Sequence, residues 1–254
     1  MRIAFIGSGN VATVLGRLLK EAGHVIAGVY STTFANAEAL ARELETPYFG
    51  NLDKIHRNAD LYIVAISDDS IFDITKNLRL PGKIIVHTSG ATPKNVLKNI
   101  SNFYGVFYPL QSLRKEATHQ PLIPILIDGS DSIVKEQIRI IAESISFMVE
   151  EANDEQRLKL HLSAVIVSNF TNYLYSLADE YCTKERIPFK ILVPLIQEVA
   201  NRTAYYSPTV MQTGPAIRGD ELTIERHLQL LSAHPALMNT YRQLTESIRH
   251  FYKK

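Results

Sequence analysis

"IAFIGSGNVA", residues 3–12, decides the fold. An apolar run ends at Gly7, Gly9 follows, and Ala12 completes a G-x-G-x-x-A spacing just as a helical pattern begins. Each small residue has its own task. Gly7 permits a tight turn out of a strand, Gly9 lets backbone approach a pyrophosphate, and Ala12 keeps the helix close to the sheet. The first amides of that helix then face the phosphates. The spacing alone is common, and the strand before it and the helix after it give it meaning. Gly7, Ser8, Gly9, Asn10 and Val11 are therefore the expected cradle of a dinucleotide.

The flanking sequence agrees. "VATVLGRLLKEAG" carries Val11, Val14, Leu15, Leu18 and Leu19 on one helical face until Gly23 stops it. "RIAFIG", "VIAGVYS", "LYIVAIS", "KIIVHTS", "NFYGVFYP", "LIPILID" and "SFMVEE" read as strands, with "ANAEALARELE" and "SIVKEQIRIIAESI" as helices among them. "LYIVAIS" and "KIIVHTS" do not alternate, the pattern of a parallel sheet covered on both faces. From about residue 150 the patterns become long and helical, as in "ILVPLIQEVANRTAYY" and "TIERHLQLLSAHPALMNTYRQLTESIRHFY". The expected fold is α/β: a doubly wound, mostly parallel Rossmann sheet over 1–150, then a smaller all-helical domain over 151–254.

Composition excludes several classes. A net charge of +1 offers no concentrated basic face for nucleic acid or an anionic membrane. Cys182 is the single cysteine, so neither an intramolecular disulfide nor a multi-cysteine metal site is possible, and a buried apolar role is expected. The eight histidines show no ligand-like spacing with acids, so no metal is expected. No run suits a membrane span or a secretory signal, and the expectation is a soluble, cytoplasmic protein.

The turn after the second strand bears on the choice of cofactor. An NAD site usually places Asp or Glu there for the ribose 2′-hydroxyl. Here the residues are "VYSTTFAN", with Ser31, Thr32, Thr33 and Asn36 able to donate to a 2′-phosphate and no carboxylate to repel it. NADP is expected ahead of NAD, although the turn lacks the arginine that usually clamps a phosphate. "AISDDSI" brings Ser67 and Asp68 to the same crevice, where Asp68 or Asp69 could equally cap a helix. "VHTSGATP" brings His87, Thr88, Ser89 and Gly90 toward the nicotinamide end.

The long segment "LKLHLSAVIVSNFTNYLYSL", residues 158–177, is apolar yet contains His161, Ser168, Asn169 and Asn172. On a regular helix residues seven apart lie within about 20° of one another, so His161 and Ser168 share a face, flanked by Asn169 and Asn172. Such a stripe is costly to bury without partners. An imidazole titrating near neutrality suits proton transfer beside a hydride step, so His161 and Asn169 are the expected catalytic residues. Ser168 and Asn172 are expected at the substrate. In "TGPAIRGDEL", Arg218 can hold a substrate carboxylate; the alternatives are an ion pair with Asp220, or Asp220 and Thr223 capping the next helix. Arg202 and Thr203 are weaker candidates.

Taken together, "FIGSGNVA", "VYSTT", "VAISDDSI", "VHTSGATP" and "FYPLQSL" resemble the N-terminal half of the 6-phosphogluconate dehydrogenase-like superfamily. That group includes β-hydroxyacid dehydrogenases, pyrroline-5-carboxylate reductases and prephenate dehydrogenases. "KLHLSAVIVSNFTNYL" and "TGPAIRGDELTIERHL" narrow the resemblance to Rossmann-like NADP oxidoreductases with a helical C-terminal domain of unknown function. The resemblance implies a homodimer through the C-terminal helices and an active site between the domains. It also implies hydride transfer between NADP and a small carbonyl, imine or hydroxy substrate. One departure stands out. The β-hydroxyacid dehydrogenases carry a catalytic Lys on the long helix, followed within a turn by Asn. Here His161 is followed at that spacing by Ala164 and Val165, and Lys159 is two residues out of phase. The alternative reading is therefore a nucleotide-binding sensor or interaction protein that keeps the pocket without the chemistry.

Overall fold

The computed structural model describes residues 1–52, 55, 57–117 and 121–253. Its contacts group Met1–Ser168 as one unit and Asn169–Lys254 as another. The boundary expected near 150 thus falls inside the first unit.

The first unit is built on a sheet of eight strands: β1 (Arg2–Ile6), β2 (Val25–Tyr30), β3 (Tyr48–Phe49), β4 (Leu61–Val64), β5 (Ile84–His87), β6 (Phe103–Pro109), β7 (Ile125–Gly129) and β8 (Val149–Glu151). Their order is β3-β2-β1-β4-β5-β6-β7-β8, and every pairing is parallel except β6 with β7. The chain runs outward from β1 to β3, then crosses back to place β4 on the other side of β1. That reversal opens a crevice at the carboxyl ends of β1 and β4, where doubly wound folds bind ligands.

Burial explains why these strands read as continuous apolar runs. Ile3 and Phe5 of β1 join Leu61 and Ile63 of β4 in one core, whereas Ala4, Ile6, Tyr62 and Val64 join another. Helix α1 (Asn10–Glu21) and α4 (Ser132–Glu143) contribute Leu15, Leu19, Ile138 and Ile141 to the first core. Between them in sequence come α2 (Phe34–Leu44), which adds Leu40 and Leu44 there, and α3 (Asp68–Asn77), which supplies Ile71 and Ile74 to the second. The two-residue β3 offered no pattern long enough to read.

Helix α5 (Asp154–Ala164) ends the regular part of the first unit. Its start carries a capping box: Asn153 accepts from the Gln156 amide, and the Gln156 side chain accepts from the Asn153 amide. A π-helical stretch, Val165–Phe170, follows at once. Wider turns there slip the register by about one residue, so the seven-residue phase that aligned His161 with Ser168 does not hold. His161 and Ser168 nonetheless both lie on the partly buried side, whereas Asn169 and Asn172 are exposed.

The second unit is helical: α6 (Thr171–Lys184), α7 (Val193–Arg202), the short α8 (Pro215–Arg218), α9 (Glu221–Leu230) and α10 (Pro235–Tyr252). Pro235 divides α9 from α10, because the residue before a proline is pushed out of helical geometry. Cys182 is buried there, as expected. No helix among the described residues is long and apolar enough to cross a membrane.

Candidate active site

A cavity of about 750 Å³ opens at the carboxyl ends of β1, β2, β4 and β5. Of the residues expected at the cofactor, Gly7, Ser8, Gly9, Asn10, Val11, Ser31, Thr32, Thr33, Ser67, Asp68 and Ser89 line it, whereas His87 and Gly90 do not. Asn36 and Thr88 line it as well.

The glycine turn is built as the spacing requires. Gly7 has φ +118°, and its amide donates to the Tyr30 carbonyl at 2.7 Å. A Cβ there would lie 2.1 Å from the Ala65 carbonyl oxygen, so β4 leaves no room for any other residue. At Gly9, by contrast, an added Cβ would meet nothing within 4 Å. The backbone there borders open space, as a close-approaching ligand needs. Gly9 caps α1, whose first turn holds no acid, leaving an amide terminus suited to an anion.

The turn after β2 is also free of acids. Ser31 is buried, and its Oγ accepts from the Thr33 amide at 3.2 Å. Thr33 caps α2 without a side-chain hydrogen bond, and Thr32, Thr33 and Asn36 are exposed at the cavity. At β4, Ser67 rather than Asp68 or Asp69 occupies the cap of α3. Its Oγ pairs with the Ser70 hydroxyl at 2.7 Å, and Asp68 and Asp69 sit in the first turn, where the helix dipole favours them. The cap position considered for Asp68 or Asp69 is thus taken by Ser67, which makes no side-chain capping bond, because the helix begins one residue earlier.

The loop after β5 divides its residues between structure and site. Ser89 Oγ accepts from the amides of Ala91 (3.1 Å) and Thr92 (2.9 Å) and pairs with the Thr92 hydroxyl, so it holds the loop's shape. His87 is wholly buried behind the loop, where its Nδ1 accepts from the Ser89 amide at 3.2 Å. Burial, reinforced by the nearby Arg157 charge, lowers its pKa to about 4, so it is neutral at ordinary pH.

Gly90 is where this loop meets α5. A Cβ on Gly90 would lie 2.6 Å from both Cγ and Nδ1 of His161, so the imidazole packs directly on its backbone. The same Nδ1 is 2.9 Å from the Tyr108 hydroxyl, with the rings edge to face. His161 is thus held between the rim of the dinucleotide cavity and β6. Tyr108 was not legible as its neighbour, since 53 residues separate them and no local pattern links a strand to a distant helix.

The start of α5 is pinned beneath. Arg157, wholly buried, donates to the Thr92 carbonyl at 2.5 Å and to Asp154 at 2.8 Å. Asp154 also accepts from the Lys94 amide, and the Lys94 ammonium bridges Asp128 at 2.8 Å. Burial works to raise the Asp154 pKa, but its bonds to Arg157 and Lys94 prevail and leave it lowered.

Of the remaining expected residues, Ser168 is half-buried, and Asn169 and Asn172 are exposed. Arg218 is exposed on α8 and, among the described residues, makes no ion pair. Asp220 instead caps α9, accepting from the Thr223 amide at 3.1 Å and hydroxyl at 2.8 Å. Arg202 pairs with Glu198 and the Thr203 hydroxyl donates to Ala200, both on one helix. Among the described residues no group of three or more His, Cys, Asp or Glu could hold a metal.

Comparison with known proteins gives two family matches. Residues 1–110 match the Rossmann-like domain, and residues 123–248 match the domain of unknown function DUF2520. Among solved structures, a protein of Bacteroides fragilis described as a candidate NADP oxidoreductase is 38% identical over 98% of each chain, with a TM-score of 0.92. The fold is shared more distantly with 1-pyrroline-5-carboxylate reductase of Streptococcus pyogenes, at 14% identity over 98% of each chain and a TM-score of 0.66. It is shared too with an imine reductase of Myxococcus stipitatus in complex with NADP⁺, at 16% identity, 98% of this chain and 92% of that one, and a TM-score of 0.65. No curated protein matches the chain.

Proposed function

We infer that this chain, which belongs to the family joining a Rossmann-like domain to the domain of unknown function DUF2520, is an NADP-dependent oxidoreductase acting on a small carbonyl, imine or hydroxy substrate. The observation that carries this reading is the shared wall. The glycine turn, the acid-free turn after β2 and the β5 loop line one cavity, and the His161 imidazole packs on that loop at Gly90. The Bacteroides relative's description and the NADP⁺-bound imine reductase point the same way.

The residues present fit the cofactor. The amides of Gly9, Asn10 and Val11 would hold the pyrophosphate, and the hydroxyls of Ser31, Thr32 and Thr33 the 2′-phosphate. Ser67, Asp68 and the Ser89 loop would border the ribose and nicotinamide. When bound, the nicotinamide gives or takes the hydride. His161, whose imidazole carries both a donor and an acceptor nitrogen, gives or takes the accompanying proton. Asn169 is proposed beside His161 in the chemistry, and Ser168, Asn172 and Arg218 are assigned to the substrate by their chemistry: a hydroxyl, an amide and a guanidinium that bond carbonyl or carboxylate oxygens. A homodimer through the C-terminal helices belongs to the same proposal.

Turnover of NADPH against a panel of keto acids and cyclic imines tests the reading. His161→Ala should lower kcat by about 10²-fold or more while leaving NADPH affinity unchanged. Equal turnover in the variant would remove His161 from the chemistry. NADPH binding without turnover of any panel member would favour a sensor over an enzyme.

A further inference from the structure

We propose that Tyr108 is a positioning and proton-supplying residue whose hydroxyl donates to Nδ1 of His161, so that the imidazole presents Nε2–H and the site protonates a C=O or C=N acceptor. This deepens the oxidoreductase reading and rests on it: the favoured substrate is the compound to be reduced, rather than a hydroxy compound.

The geometry fixes the pair. Tyr108 sits on β6, which is hydrogen-bonded to β5 on one side and β7 on the other, so its backbone has little freedom. Its hydroxyl is 2.9 Å from Nδ1, a normal hydrogen-bond length. The Gly90 backbone lies against the same edge of the imidazole, closer than a Cβ could be accommodated, so reorienting the ring about that contact is obstructed. Among the described residues no group bonds Nε2, and the ring is only partly buried.

The surroundings suit Tyr108 as the donor of this bond. Burial raises the Tyr108 pKa above the ordinary phenol value, so Tyr108 keeps its proton at neutral pH. A neutral imidazole with an acceptor nitrogen at Nδ1 must carry its proton on Nε2. The charged and titratable groups around the pair are Arg157 one turn earlier on α5, Asp154 beside it, His87 on β5 and Asp68 on α3. His87 stays neutral, so it does not oppose a charge on the pair. The Arg157 cation lowers the Tyr108 pKa, partly offsetting burial, and so stabilises a transient phenolate. Its Nε and Nη1 are buried with no protein partner, which leaves that charge incompletely compensated.

The step balances. As the reduced cofactor's hydride forms the new C–H bond, the C=X π bond breaks and its electron pair moves to X. The Nε2–H proton bonds to X, and the Tyr108 O–H proton passes to Nδ1. Tyr108 is left as a phenolate; a solvent proton then goes to Nε2 and the Nδ1 proton returns to Tyr108, which restores both groups.

The tautomer can be read without a substrate. The full chain, labelled with ¹⁵N-histidine, is observed at pH 9, above the range where an ordinary imidazole is charged. The His161 resonances are identified by their loss in His161→Gln. The proposal expects a proton on Nε2, an unprotonated Nδ1, and a downfield move of the Nδ1 resonance alone in Tyr108→Phe. That variant should bind NADPH within twofold of wild type, which establishes that it is folded. A proton on Nδ1, or no change in Tyr108→Phe, overturns the proposal. If the tautomer is as expected but NADPH does not bind the wild-type chain, the oxidoreductase reading fails, and the catalytic use of the pair with it.

Discussion

Gly7 shows how one residue can commit a whole site. Its φ of +118° lies where L side chains are strained, and the Ala65 carbonyl occupies the space a Cβ would need. Gly7→Ala should destabilise the fold by about 3 kcal/mol and abolish NADPH binding, measured by urea unfolding and fluorescence titration. An unchanged unfolding midpoint would mean that the turn relaxes at no cost. His87 makes a different prediction, about pH. Its pKa falls from 6.5 in the unfolded chain to about 4 in the folded one. Between those values the unfolded chain binds a proton that the folded chain refuses, so stability rises with pH across this window and is fully present above it. The contribution is at most about 3 kcal/mol. Urea midpoints at pH 4.5 and 7 should therefore differ more in wild type than in His87→Gln; equal differences would show that burial does not perturb this group.

At the scale of an element, the turn between β2 and α2 is the part proposed to set cofactor preference. It presents hydroxyls and no carboxylate, and α2 carries no acid in its first turn. Thr32→Asp should weaken NADPH at least tenfold by repelling the 2′-phosphate, while NADH affinity holds or improves; equal losses for both would show that the turn does not discriminate. The elements were legible wherever local pattern decides them. The unbroken apolar runs of β1, β4 and β5 announced strands buried on both faces, and the G-x-G-x-x-A spacing located α1 and its turn. The π stretch was not legible, because Val165–Phe170 would suit a regular helix equally well and only its hydrogen bonds reveal the wider turn. Nor was the role of Ser89, whose hydroxyl is taken up by two amides of its own loop. The Tyr108–His161 pair lay beyond reach for a related reason: it arises only when β6 and α5 are brought together.

Over the whole molecule, apolar side chains remain exposed along the helices, among them Leu162 (59%), Val167 (72%), Leu195 (60%) and Val199 (57%). Exposed apolar side chains of this kind are what the proposed homodimer would cover. Light scattering on the purified chain should give twice the monomer mass of 28.6 kDa. A monomer at micromolar concentration would contradict the proposed homodimer. The central claim, that the cavity at the sheet's switch point holds NADP, is tested most directly by titrating the purified protein with NADPH and with NADH and following the nicotinamide fluorescence. Saturable binding of NADPH, at least tenfold tighter than that of NADH, is expected. Tighter binding of NADH would contradict the assignment of the Ser31–Thr33 turn, and binding of neither at micromolar concentration would contradict the dinucleotide site itself.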